Sequence, residues 1–94
     1  MAEKVEDLTI EYVEDGVTVT KELDKVILSK GAWSTVIFRY QDIDRAKEEY
    51  GPEKYSIRRY RKQNGEYRQQ SKFNISSKEQ AQKIIDALSG WMVD

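Results

Sequence analysis

Cysteine and histidine are both absent from this chain, and proline occurs once. Without thiols there is no disulfide framework and no thiolate nucleophile, which fits a reducing compartment. Without imidazoles the chain lacks the side chain most used as a general base and as a metal ligand. A Gly-x-Ser-x-Gly elbow and a phosphate-cradling glycine loop are missing as well. No apolar run approaches the roughly 18 residues of a membrane helix, and the opening MAEKVEDL has no signal-peptide core. The acids Asp42, Asp44, Glu48 and Glu49 lack the glycine and spacing of a calcium loop and read as a solvated connection. These absences lead us to expect a non-enzymatic, cytoplasmic protein with no metal, no cofactor, no small-molecule substrate and no membrane partner.

Charge is plentiful and unevenly placed. The formal net charge is −1, yet residues 1–24 hold eight acids and two bases, while residues 54–72 hold seven bases and one acid. A near-neutral total with one concentrated basic stretch suggests a directed electrostatic surface. Ninety-four residues make a single domain, 1–94, that buries roughly 60–65% of the surface its unfolded chain exposes.

The pattern predicts an α+β fold. Its antiparallel sheet has about four to five strands, including two hairpins, and is followed by a C-terminal amphipathic helix. Residues 6–24 read as an acidic, threonine-rich hairpin closed by Asp15-Gly16. Pairing Glu14 with Val17 sets Tyr12 opposite Val19 and Leu8 opposite Leu23. This hairpin either completes the sheet or lies near the basic stretch and competes with its ligand. The sheet core spans 25–75. Lys25 to Ser29 is a short strand or the end of the second one, and Trp33 to Ile43 is a central strand. Val36, Phe38 and Tyr40 lie on one face of it, with Trp33, Thr35, Ile37, Arg39 and Gln41 on the other. Trp33 reads as core rather than as a ligand platform. Residues 44–50, between Asp42 or Asp44 and Gly51-Pro52, predict one or two helical turns.

The basic hairpin, 53–75, turns at Asn64-Gly65. A two-residue loop sets Ile57 opposite Lys72. A three-residue loop, Gln63-Asn64-Gly65, pairs Lys62 with Glu66 and gathers the apolar residues on one side, so it is the preferred register. The other side then carries Ser56, Arg58, Tyr60 and Lys62 beside Glu66, Arg68, Gln70 and Lys72. Four cations around an aromatic ring suit a single nucleic-acid strand: cations follow phosphates and the ring stacks on a base. Neutralising about four phosphates gives a slope of log K against log salt near −3. Stacking and phosphate contacts read little sequence, so weak sequence preference is expected, and with no obvious reader of the 2′-hydroxyl both single-stranded DNA and RNA are candidate ligands.

The last element, 76–92, opens with Ser76-x-x-Glu79, a capping box. Ala81, Ile84, Ile85, Leu88, Trp91 and Met92 follow at helical spacing. Gly90 either caps the helix or lies inside it. The stripe packs on the sheet or pairs with a second copy, with Ile84, Leu88, Trp91 and Met92 as the dimer interface.

The run IRRYRKQNGEYRQQSKFNISSKEQ resembles the positive cofactor four family of single-stranded DNA-binding transcriptional coactivators, bacterial type. The matching positions are Ile57, Arg58, Tyr60, Gly65, Glu66, Lys72, Ile75 and Ser76. Upstream, Ser29-Lys30-Gly31-Ala32-Trp33 resembles the Lys-Gly-Trp segment of bacterial members. The resemblance covers about residues 26–89. It implies an antiparallel sheet, dimerisation largely through the C-terminal helix and single strands bound across the sheet. Arg58 and Lys72 would then contact phosphates, and Lys30 would sit near the strand path. Where the family often has a stacking tryptophan after the tyrosine, this chain has Arg61. The nucleic-acid set is therefore Lys30, Arg58, Tyr60, Lys62, Arg68 and Lys72. The alternative is a protein-interaction module that homodimerises through its helix.

Overall fold

The computed structural model describes residues 2–93. It is an α+β fold: an antiparallel, curled sheet followed by one C-terminal helix, with a single 3-10 turn at Val5–Asp7. The strands are β1 (Tyr12–Glu14), β2 (Val17–Ser29), β3 (Trp33–Asp44), β4 (Glu49–Tyr50), β5 (Lys54–Gln63) and β6 (Glu66–Ile75), and the helix α1 is Lys78–Trp91. The order across the sheet is β1-β2-β3-β5-β6, with β4 folding back on the end of β3. Lys25 to Ser29 thus belongs to one long second strand. Extra residues in β2, Leu23 and Leu28, shift its register against β3. Such bulges increase local twist and help the sheet close into a half-barrel.

Alternation along β3 builds the core as expected. Val36 and Phe38 are fully buried, with Tyr40 beside them on the concave face. The cover over that face is the N-terminal segment. Only Tyr12–Glu14 pairs as a strand, and a register shift there sets Tyr12 opposite Thr20 rather than Val19; Glu14 faces Val17 as expected. Leu8 does not lie opposite Leu23. Val5, Leu8 and Ile10 cross the concave face and are buried with Val36 and Phe38. Their backbone is held without a ladder: the Lys25 ammonium donates to the carbonyls of Glu6 (2.5 Å) and Leu8 (2.6 Å). The Tyr67 amide donates to the carbonyl of Ala2, and Lys30 pairs with Glu6. Entropy explains the choice. Three apolar side chains gain more from covering Phe38 than from lengthening an edge strand in water.

Residues 45–48 make one turn and no helix. The Asp44 carboxylate accepts from the Ala46 and Lys47 amides, Glu48 takes a left-handed φ of 53°, and β4 returns along β3. The helix N-cap is Ser77, one residue later than expected; its hydroxyl accepts from the Gln80 amide, and the Gln80 side chain reaches back to the Ser76 amide. Gly90 lies within the helix. No helix among the described residues is long and apolar enough to cross a membrane.

Candidate nucleic-acid interface

The β5–β6 hairpin keeps the two-residue loop. Asn64 and Gly65 have φ of 52° and 80°, and Gln63 pairs with Glu66. The parity problem that favoured a longer loop is solved instead by a bulge. Arg59 faces Ser71 while Tyr60 faces Gln69, so Gln70 is the extra residue. Beyond it Ile57 meets Phe73, and Arg58 meets Lys72. The bulge has a chemical consequence: Arg68 lies on the opposite face from Lys72, paired with Arg61.

The face that carries Ser56, Arg58, Tyr60 and Lys62 is the concave core face, because Ser56 faces Phe38 and Arg58 faces Val36. Tyr60 is 3% exposed and packs with Tyr67 and the N-terminal cover. Burial pushes its phenol pKa up, against the opposing pull of the Arg58 charge. A ring so enclosed is a core residue, and the stacking role expected for Tyr60 is corrected. Ser56 is likewise buried, donating to the Asn74 side chain at 2.7 Å.

Arg58, Lys62 and Lys72 remain at the rim of this face. Arg58 is half-buried and donates only to neutral partners, Ser56 at 3.2 Å and Gln69 at 3.1 Å. Lys62 and Lys72 are exposed, and Lys62 sits 5.5 Å from the Tyr67 ring centroid. Lys30 stands apart from them in position: its ammonium pairs with Glu6 at 2.5 Å, which raises the lysine pKa and lowers that of the carboxyl. The pair links Lys30 to the N-terminal cover.

An exposed aromatic and its cations lie on the convex face. Trp33 is 41% exposed at the start of β3 and faces Arg61 across the ladder. The Arg59 guanidinium lies 4.5 Å from the Trp33 ring centroid and that of Arg61 5.4 Å. Arg68 follows on the next strand, opposite Arg61, with a loose 3.8 Å contact to Glu66. All three arginines are exposed. Trp33, Arg59 and Arg61 were missed because a large aromatic on a central strand reads as buried. A signal was nevertheless present: alternation set Trp33 with Thr35, Arg39 and Gln41, away from Val36 and Phe38.

Further along the convex face the chemistry turns apolar. Leu28, Ile37, Tyr55, Ile57 and Ile75 face Ile84, Ile85 and Leu88 of α1 across an open cleft of about 570 Å³. No residue of α1 is buried, and Trp91 and Met92 are 81% and 73% exposed. The two ends of one sheet face thus differ: one is cationic and aromatic, the other an unfilled apolar groove under a helix. No protein-family model, curated protein or solved structure matches this chain.

Proposed function

We propose that the protein binds single-stranded nucleic acid on the cationic end of its convex face, with Trp33 as the stacking platform. The observation that supports this is the Trp33 ring, exposed and flanked by Arg59 and Arg61, with Arg68 on the adjoining strand. Stacking on an aromatic and pairing of arginines with phosphates need no sequence-specific contact, so one site takes many sequences. The proposal also fits the resemblance to the positive cofactor four family. The tryptophan of that pattern is Arg61 here, and the residue directly across the ladder from Arg61 is Trp33. The ring is supplied from the neighbouring strand to nearly the same place.

Titration of a fluorescent oligo-dT tests this. Binding is expected to weaken as salt rises, with a slope of at least about −2 from three arginine–phosphate contacts on single strands. Polyglutamate is the control for an acidic protein partner: binding to it with none to the oligonucleotide favours an interaction module instead.

The apolar groove favours a second copy of the chain as an additional partner. An antiparallel pairing of two α1 helices about an axis between Ile84 and Ile85 is self-complementary. It sets Ala81 against Leu88 of the second copy, and Lys83 against Asp86. It also lays Lys78 beside Trp91. Light scattering at tens of micromolar is expected to give a dimer mass, and Leu88→Asp a monomer with unchanged circular dichroism. A monomer in both cases excludes the pairing.

A further inference from the structure

The hairpin holds two like-charged pairs directly across its ladder, one on each side of the sheet. Arg61 faces Arg68 on the convex face, and Arg58 faces Lys72 on the concave rim. Like charges set opposite one another destabilise a strand pair. Several other cations are matched: Arg39 with Glu53, Arg45 with Glu14, Lys30 with Glu6 and, at the start of β5, Lys54 with Asp42. Within the hairpin, Arg58, Arg59, Arg61, Lys62 and Lys72 make no ion pair among the described residues. The positive field is therefore left open on both sides at once. Between the two pairs lies the edge of β6, broken by the bulge at Gln70; among the described residues no strand pairs beyond it, and the bond from the Tyr67 amide to Ala2 falls just before this stretch.

We infer that a bound single strand does not stay on one face but crosses the β6 edge. It runs from Trp33, Arg59, Arg61 and Arg68 to Lys72, Arg58 and Lys62. This rests on the nucleic-acid reading above and adds a second row of contacts to it. The two pairs are three to four residues apart along the strands, about 10–13 Å, a span that a few nucleotides cover. The Gln70 bulge is what makes the crossing possible: without the extra residue Arg68 and Lys72 would share one face. Polyanion binding also relieves both repulsions, so a cost to the free protein becomes a gain in the complex.

Salt dependence separates the two paths. With six cations engaged the slope of log K against log salt is expected near −4, against about −2 for the convex arginines alone. The pair Arg58→Gln with Lys72→Gln is expected to reduce the slope by about 1.4, and so is Arg61→Gln with Arg68→Gln. The single change Lys72→Glu adds a control for folding, because it places a carboxylate opposite Arg58. Its thermal midpoint is expected to rise by about 2–6 °C while oligo-dT affinity falls about tenfold at low salt. If the convex pair lowers the slope and the rim pair does not, the edge crossing is wrong and the one-face site stands. If neither pair changes the slope, both are wrong. A Lys72→Glu variant that is stabilised with undiminished affinity also overturns the crossing, marking these cations as merely solvated.

Discussion

Trp33→Ala is expected to weaken oligo-dT binding by about 1–3 kcal/mol, the usual worth of one base–aromatic stack, or roughly five- to a hundredfold and more. The salt slope should hardly change, since no charge is lost. Trp33→Phe should recover most of the affinity, because a smaller ring still offers a face between Arg59 and Arg61. The fold should tolerate the change: Trp33 is partly exposed and lies outside the buried cluster of Val36, Phe38, Tyr60 and Tyr67. Tyr60→Phe provides the contrast. Tyr60 is almost wholly buried, so binding should stay at the wild-type level. Fluorescence anisotropy with one labelled oligonucleotide measures all three variants, and an intact Trp33→Ala affinity would place the stacking elsewhere.

Deleting residues 2–10 is expected to unfold the protein. Val5, Leu8 and Ile10 are the cover of the concave face, and each fully buried side chain of this size contributes about 1.5–3 kcal/mol. Their joint loss, roughly 5–9 kcal/mol, is as large as the whole stability of most small domains. Deletion also strips the acceptors from Lys25 and the ion-pair partner from Lys30. Circular dichroism and urea titration check this: the truncated chain should show no cooperative transition. Leu8→Ala is the gentler version, with an expected loss of about 2–5 kcal/mol. A truncated chain that still melts cooperatively near the wild-type midpoint would show that the cover is dispensable.

Much of this architecture was legible in the chain, and the misreadings share one cause. Alternation in β3 correctly divided Val36, Phe38 and Tyr40 from Trp33, Ile37 and Arg39. Both turns fall where Asp15-Gly16 and Asn64-Gly65 mark them, but the second keeps a two-residue loop where the pattern favoured three residues and a Lys62–Glu66 pair. Periodicity found α1 and its apolar stripe. What local pattern does not encode is which face of a two-sided sheet receives the cover. Both faces of β5 carry apolar residues, Tyr60 on one and Tyr55 and Ile57 on the other. The decision came from Val5, Leu8 and Ile10: Leu8 and Ile10 alternate like a strand, yet all three serve as a lid. The bulge at Gln70 was equally invisible, because a single inserted residue leaves no compositional mark. It moved Arg68 to the far face and freed the short turn to keep its natural length. The charge concentration over 54–72 survived these changes; its distribution over two faces became visible only in three dimensions.

The most direct measurement is an NMR titration of uniformly ¹⁵N-labelled protein with a short oligo-dT, following the two indole N–H signals. Trp33 lies on the cationic end of the convex face and Trp91 is exposed at the end of α1, so the two serve as mutual controls. The Trp33 indole is expected to shift progressively and saturate with the backbone amides of Arg59, Arg61 and Arg68, while the Trp91 indole stays in place. A titration that moves Trp91 and leaves Trp33 unmoved, or that moves neither indole at saturating oligonucleotide, contradicts the account.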